Sequence, residues 1–181
     1  MLNTRLYRIA TGTLLALFLS ACAGTDIQRY KGNQPAFILQ EFFNGDLSAH
    51  GVVKNRSGEV TRYFNATIKA TWENGIGTLD ERFEFDDGEI QTRVWTLTPT
   101  ADNTFTGTAG DVIGTGQGKL AGNALQLAYV LEIDYKGRKL ALNVDDWMWR
   151  VDDTTVINNS TLSKWGFRVG SIQLVIEKHA P

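Results

Sequence analysis

Four charged residues fall at positions where the surrounding alternation of apolar and polar residues predicts an inward side chain: Arg62, Glu81, Arg93 and Asp146. A carboxylate and a guanidinium in an apolar setting could act as an acid or base, bind the head of a ligand, or form a structural ion pair. Isolated charges are almost never buried, so we expect these four to pair with one another. A structural ion pair that fixes the register is the favoured interpretation, and a polar site in a cavity is the alternative.

The stretch "VDDWMWRV", residues 144–151, places two carboxylates side by side. A strand sends neighbouring side chains to opposite faces, so Asp145 and Asp146 cannot form the facing pair that sugar hydrolysis needs. Asp146 is predicted to point inward, where it needs a donor. That donor is either Arg62 or Arg93 across the barrel, or backbone and hydroxyl groups such as those of Asn158 and Ser160 on the following strand.

The neighbours of Asp146 raise a separate question. Trp147 and Trp149 are predicted to point outward, as two large apolar groups on one outer face. Such a pair needs a cover, and we expect it to be the 37–44 segment, a partner, or the membrane interface.

Other catalytic chemistries find little support. The two histidines, His50 and His179, fit no metal or triad motif, so no metal site, no catalytic residue and no cofactor is predicted. The run 116–121 formally fits a dinucleotide-binding pattern, but a strand rather than a helix follows it. Its glycines are expected to allow strand bending or close packing.

Aromatic residues share the predicted inner face with the charges. They include Phe64, Phe83, Trp95 and Tyr129, which we take as candidates for the lining of a cavity. The two interpretations are a filled core and a cavity for an apolar ligand.

The elements that position these residues are short strands separated by turns. Their number favours an all-β fold, a single antiparallel meander that closes into a lipocalin-like β-barrel of about ten strands, since closure removes exposed edges. Three hairpin turns set the register and pair Glu81 with Arg93. The predicted strands are about 50–56, 59–72, 76–85, 90–98, 104–110, 113–121, 124–135, 138–149, 154–163 and 167–178.

The N-terminal residues predict an export signal. Arg5 and Arg8 precede an apolar run too short to span a bilayer, and the run ends in "LSAC", which resembles the bacterial lipobox. We therefore predict a signal peptide over 1–21, cleaved before a lipidated Cys22, a tether over 22–36 and a barrel domain over 37–181. By resemblance to lipoprotein sorting in Gram-negative bacteria, Ala23 favours the outer membrane.

The charge of the chain limits the classes of partner that it could bind. The formal net charge is −2 and no basic block is present, which argues against nucleic acid. The predicted partners are the lipid bilayer, reached through acylated Cys22, and an apolar small molecule.

Five stretches together resemble a known family: "FFNGDLSAHGVVKNRSGEVTRYF", "LDERFEFDDGEIQTRVW", "AGDVIGTGQG", "DDWMW" and "NNSTLSKWGFRVG". They are similar to the Gram-negative lipoprotein family catalogued as domain of unknown function 3833, over nearly all of 37–178. The resemblance implies a lipobox, a single domain and no assigned activity. The lipocalin Gly-X-Trp signature is missing, so the likeness to lipocalins is one of architecture.

Three functions follow as expectations. The first is an outer-membrane lipoprotein, facing the periplasm, whose barrel holds an apolar molecule with Arg62 or Arg93 meeting a carboxylate head. The second is a structural lipoprotein of the envelope with a filled barrel. The third, ranked last, is an enzyme acting on an envelope lipid with Glu81 or Asp146 as acid or base.

Overall fold

The predicted meander closes into a ten-stranded antiparallel barrel, in which β1 pairs with β10 and every other pair is consecutive in sequence. The computed structural model describes residues 25–180. Cys22 and the predicted signal peptide lie outside these residues. The strands are β1 Gly45–Asn55, β2 Val60–Glu73, β3 Ile76–Phe85, β4 Ile90–Ala101, β5 Thr104–Thr108, β6 Gly116–Ala121, β7 Ala124–Tyr135, β8 Arg138–Arg150, β9 Thr155–Lys164 and β10 Phe167–Lys178.

The hairpin turns have the backbone that the register argument requires. Asn74 and Gly75 both have positive φ angles, as do Lys136 and Gly137, which matches the type I′ turns expected there. The resulting register places Glu81 opposite Arg93. It also places Leu127 opposite Asp146, with no bulge at that position. The predicted register is therefore confirmed.

One end of the barrel, which we call the base, is plugged by the chain that leads into β1. The base carries the β2–β3, β4–β5, β6–β7 and β8–β9 turns. A four-residue helix, α1 (Leu39–Phe42), lies there, and Phe42 is fully buried in the core. The Trp72 indole Nε1 donates a hydrogen bond to the Phe43 carbonyl oxygen at 2.6 Å. The segment that leads into β1 therefore covers this end of the barrel.

The glycine-rich run forms strand β6 rather than a phosphate-binding turn. A Cβ atom built on Gly118 would lie 2.2 Å from the Phe105 ring, so only glycine allows that ring to pack there. This is the close packing that the sequence predicted.

The outer face of β8 is covered by a different segment from the one expected. A 3-10 helix, Ile27–Tyr30, lies beside β6 and β7, and the Tyr30 ring is 6.0 Å from that of Trp147 and 6.2 Å from that of Trp149. The prediction that the 37–44 segment covers these tryptophans was wrong, because the phenylalanines of that segment pack in the core of the barrel. Part of the predicted tether is therefore packed on the domain. Within residues 25–180, no helix has both the length and the apolar character needed to cross a membrane.

Candidate ligand cavity

The barrel interior contains a cavity of about 640 Å³. Its wall includes all four aromatic residues predicted to line one, namely Phe64, Phe83, Trp95 and Tyr129, and all four predicted charges. The lining also reaches exposed residues such as Glu89 and Lys139, beside the β3–β4 and β7–β8 turns. The cavity therefore opens at the end opposite the base, which we call the mouth. The interior is not filled, contrary to the first of the two interpretations.

The aromatic wall is arranged edge to face. The Trp95 and Tyr129 rings are 5.2 Å apart at 84°, and the Phe64 and Phe83 rings are 5.7 Å apart at 67°. These contacts hold the rings against the wall of the barrel, around the open interior.

Asp146 is buried and hydrogen-bonded through one of its carboxylate oxygens. Its Oδ1 atom accepts a hydrogen bond from Asn158 Nδ2 at 2.5 Å and another from Ser160 Oγ at 2.7 Å. Burial raises the pKa of the Asp146 carboxyl, and the bonds from Ser160 and Asn158 act in the opposite direction. Of the two kinds of donor predicted for Asp146, the pair on the following strand is present and the arginines are not.

Arg93 pairs with Asp111 rather than with Glu81. Its Nη2 atom lies 2.7 Å from Asp111 Oδ2, and its Nε atom donates to both carboxylate oxygens at 2.9 and 3.0 Å. The predicted Glu81–Arg93 ion pair was therefore wrong, although the two residues are opposite each other in the ladder. The Asp111 carboxylate meets two nitrogens of the guanidinium side on, the bidentate geometry that gives the stronger charge-assisted pairs.

Asp111 is the residue that the sequence argument missed. It lies in the 109–115 loop between β5 and β6, outside any alternating run. Its backbone carbonyl oxygen accepts a hydrogen bond from the Glu132 N–H at 2.8 Å, which fixes the loop against β7. The position of "GD" after a short strand was the only signal in the sequence, and it is a weak one.

Glu81 lines the cavity without a partner. Its carboxyl forms no side-chain hydrogen bond and no ion pair with any residue from 25 to 180. Burial raises the pKa of Glu81 to about 7; the Arg93 charge lowers it, while Asp146, Asp111 and Asp80 raise it. Near neutral pH the carboxyl is therefore protonated in a large fraction of molecules.

Tyr129 resembles Glu81 in this respect. Its hydroxyl has no hydrogen-bond partner within the described part of the chain, and burial raises its pKa well above the usual range for tyrosine. The hydroxyl therefore stays protonated and faces the cavity.

Arg62 lies apart from the other three predicted charges, at the mouth. Its Nη2 atom is 2.8 Å from Asp87 Oδ1 and 2.8 Å from Glu89 Oε2. The guanidinium carbon lies 3.7 Å from the centre of the Phe85 ring, and the buried Nε has no partner. The predicted interior cluster is therefore divided, with Arg62 at the rim and Glu81, Arg93 and Asp146 deeper inside.

This architecture, a closed antiparallel barrel plugged at its base and hollow above it, defines a lipocalin-like barrel with an internal cavity. The sequence matches the family described as protein of unknown function (DUF3833) over residues 16–178, and the chain belongs to that family. No curated protein sequence matches the chain.

Two solved structures share the fold at low sequence identity. The S-type phycobiliprotein lyase CPES from Guillardia theta is 11% identical, with a TM-score of 0.59 over 87% of this chain and 100% of the lyase. A protein of unknown function from the DUF3598 family of Nostoc punctiforme PCC 73102 is 16% identical, with a TM-score of 0.54 over 87% of this chain and 53% of that one. At these identities the similarity is one of fold.

Proposed function

We propose that the protein is a lipoprotein anchored in the outer membrane through acylated Cys22, and that its periplasm-facing barrel binds an apolar or lipid-like small molecule. The observation that carries the binding proposal is the cavity of about 640 Å³ with an aromatic wall. Pockets for small molecules commonly have volumes of about 300–1,000 Å³, apolar walls and a few polar groups. A filled structural barrel would leave no such space.

The packed 3-10 helix supports a particular orientation on the membrane. Ile27 follows Cys22 by only five positions, and a fully extended chain of that length spans roughly 17 Å. Tyr30 and Asn33 pack closely on Gly122 in the β6–β7 turn, which belongs to the base. An acyl anchor at Cys22 would therefore hold the base near the bilayer and direct the mouth into the periplasm.

Mass spectrometry tests the binding proposal directly. Protein purified from its own membranes in mild detergent is examined by native mass spectrometry, and the bound material is extracted and identified. We expect one apolar molecule per barrel, retained in a Cys22→Ser variant exported by a cleavable signal without a lipobox. Consistent recovery of empty barrels from both preparations would contradict it.

The anchor and the orientation are tested separately. Labelling of cells with a clickable fatty acid should mark the natural protein and not the Cys22→Ser variant, and persistent labelling of the variant would contradict the lipobox assignment. For orientation, a fluorophore on Asp102→Cys at the base should be quenched by bilayer quenchers. The same fluorophore on Lys136→Cys at the mouth should not be quenched.

A further inference from the structure

The geometry points to a specific ligand class: we propose that the cavity binds an uncharged amphipathic molecule whose hydroxyl or carbonyl oxygen hydrogen-bonds to Glu81 and Tyr129. This inference rests on the proposed function and replaces the carboxylate head expected from sequence. It assigns a role to two inward polar groups that the barrel itself leaves without partners.

The cations of the cavity are already neutralised by carboxylates of the barrel. Arg93 is held by Asp111 through three contacts of 3.0 Å or less. At the mouth, Arg62 meets two carboxylates at 2.8 Å, and Lys139 lies within 3.4 Å of those of Glu132 and Asp134.

The balance of charge follows from these contacts. Three cations line the cavity, namely Arg62, Arg93 and Lys139, and each has at least one carboxylate partner. Two more carboxyl groups, those of Glu81 and Asp146, lie inside. An anionic head would therefore enter a region with no surplus positive charge, and would lose its hydration without gaining a counter-ion.

Glu81 and Tyr129 can both form hydrogen bonds with a neutral group. Glu81 and Tyr129 are half-buried, line the cavity and have no side-chain hydrogen bond to residues 25–180, so a ligand or water must supply their partners. A protonated carboxyl and a phenol both donate, and both also accept. They suit an alcohol, ester or ketone oxygen, which accepts such bonds and carries no charge to desolvate.

The groups around Glu81 determine its pH response. Arg93 from β4, Asp111 from the 109–115 loop, Tyr129 from β7 and Asp146 from β8 act on it, together with Asp80 on its own strand. Of these five neighbours, only Arg93 favours a negative charge on Glu81. The three aspartates oppose that charge, and Tyr129 is neutral. Ionisation of Glu81 removes its donor and creates a charge that an apolar ligand would strip of water, so binding of an uncharged ligand should weaken as the pH rises through 7.

The test compares probes with the same chain and different heads. Oleyl alcohol, monooleoylglycerol, oleate and oleylamine are titrated at pH 6 and pH 8.5 against delipidated protein, with Trp95 and the other tryptophans as the fluorescent reporters. We expect the alcohol and the glycerol ester to bind about tenfold more tightly than oleate, and their affinity to fall at pH 8.5.

Matched variants locate the effect. Glu81→Leu and Tyr129→Phe should each weaken the alcohol about three- to tenfold, the range for one lost hydrogen bond. Glu81→Gln should retain alcohol binding and abolish its pH dependence. The control is Glu84→Gln, an exposed residue on the same strand, which should change nothing.

The outcomes separate this inference from the proposed function. Oleate binding as tightly as the alcohol, or tightest of the four, would overturn the neutral-ligand inference and leave a lipid-binding barrel intact. Oleylamine binding tightest would also overturn it, since the interior would then act as an acidic site. Failure of all four probes to bind, with folded protein, would contradict the proposed lipid-like ligand itself.

Discussion

Two carboxyl groups inside the same barrel have opposite surroundings. Asp146 is 7% exposed and accepts two hydrogen bonds from side chains of β9. Glu81 faces the cavity and accepts none from the described residues. Burial raises the pKa of both groups, so a perturbed pKa alone does not distinguish them. The number of protein hydrogen bonds does, and it assigns Asp146 to the architecture and Glu81 to binding.

The largest effect that tests this comparison is expected at Asp146. Asp146→Ala removes the shorter hydrogen bond of both Asn158 Nδ2 and Ser160 Oγ in a buried position and leaves them contacts of 3.1 and 3.3 Å, which should lower the free energy of unfolding by about 2–4 kcal/mol. Asp145→Ala is the control, because that carboxylate is exposed and bonds to Gln126 and Trp147. It should lose less than about 1 kcal/mol. Urea unfolding measures both, and equal small losses would contradict the architectural role of Asp146.

The second prediction concerns the pH dependence of stability. Folding raises the pKa of Glu81 from 4.5 to about 7, so the folded state holds this proton more tightly than the unfolded state. The stability that the proton supplies is fully present below pH 4.5 and is lost as the pH rises through 7. We expect the natural protein to lose about 1–3 kcal/mol relative to Glu81→Gln between pH 4.5 and 8.

Urea titrations at several pH values measure this difference, and Asp146→Asn serves as the comparison. A constant difference between the natural protein and Glu81→Gln across that range would show that folding does not raise the pKa of Glu81. In that case the contrast between the two carboxyl groups would have to rest on geometry alone.

The sequence could predict where Glu81 and Asp146 point, because hairpin turns with Asn-Gly and Lys-Gly fix the register, and register fixes the face. It could also offer Asn158 and Ser160 as donors, since they follow on the neighbouring strand. These are consequences of local rules with a period of two residues.

The partner of Arg93 could not be predicted in the same way. Asp111 lies in a loop, where no periodicity relates a side chain to its neighbours. The cover of Trp147 was equally hidden, because "DIQRY" has two apolar residues without a strand or helix pattern. Whether the interior is hollow depends on how side chains from ten strands fill it, which no single segment determines.

A third, smaller prediction concerns the pair that replaced the expected one. Arg93 and Asp111 are 20% and 37% exposed in their side chains, so solvent screens their interaction in part. A double-mutant cycle with Arg93→Gln and Asp111→Asn should give a coupling free energy of about 1 kcal/mol. The corresponding cycle for Arg93 and Glu81 should give less. The opposite ranking would mean that the guanidinium pairs with Glu81 in solution, and Glu81 would then join Asp146 among the partnered carboxyls.

The smallest expected change in stability is at Glu81, and it makes the comparison sharpest. Glu81→Leu removes a carboxyl that has no side-chain hydrogen bond to residues 25–180, and it replaces a desolvated polar group with an apolar one. We therefore expect unfolding free energy at pH 8 to stay within about 1 kcal/mol of the natural value or to rise by that amount. Asp146→Leu, the matched change at the partnered carboxyl, should destabilise the fold because the buried side chains of Asn158 and Ser160 each lose their shorter hydrogen bond. If Glu81→Leu destabilises the fold as much as Asp146→Leu, Glu81 has a structural partner. That result would contradict the proposal that Glu81 binds an uncharged oxygen atom of a ligand. If Glu81→Leu is stable and no longer binds the alcohol, the unpartnered carboxyl lowers stability for the sake of binding, as residues in functional sites commonly do.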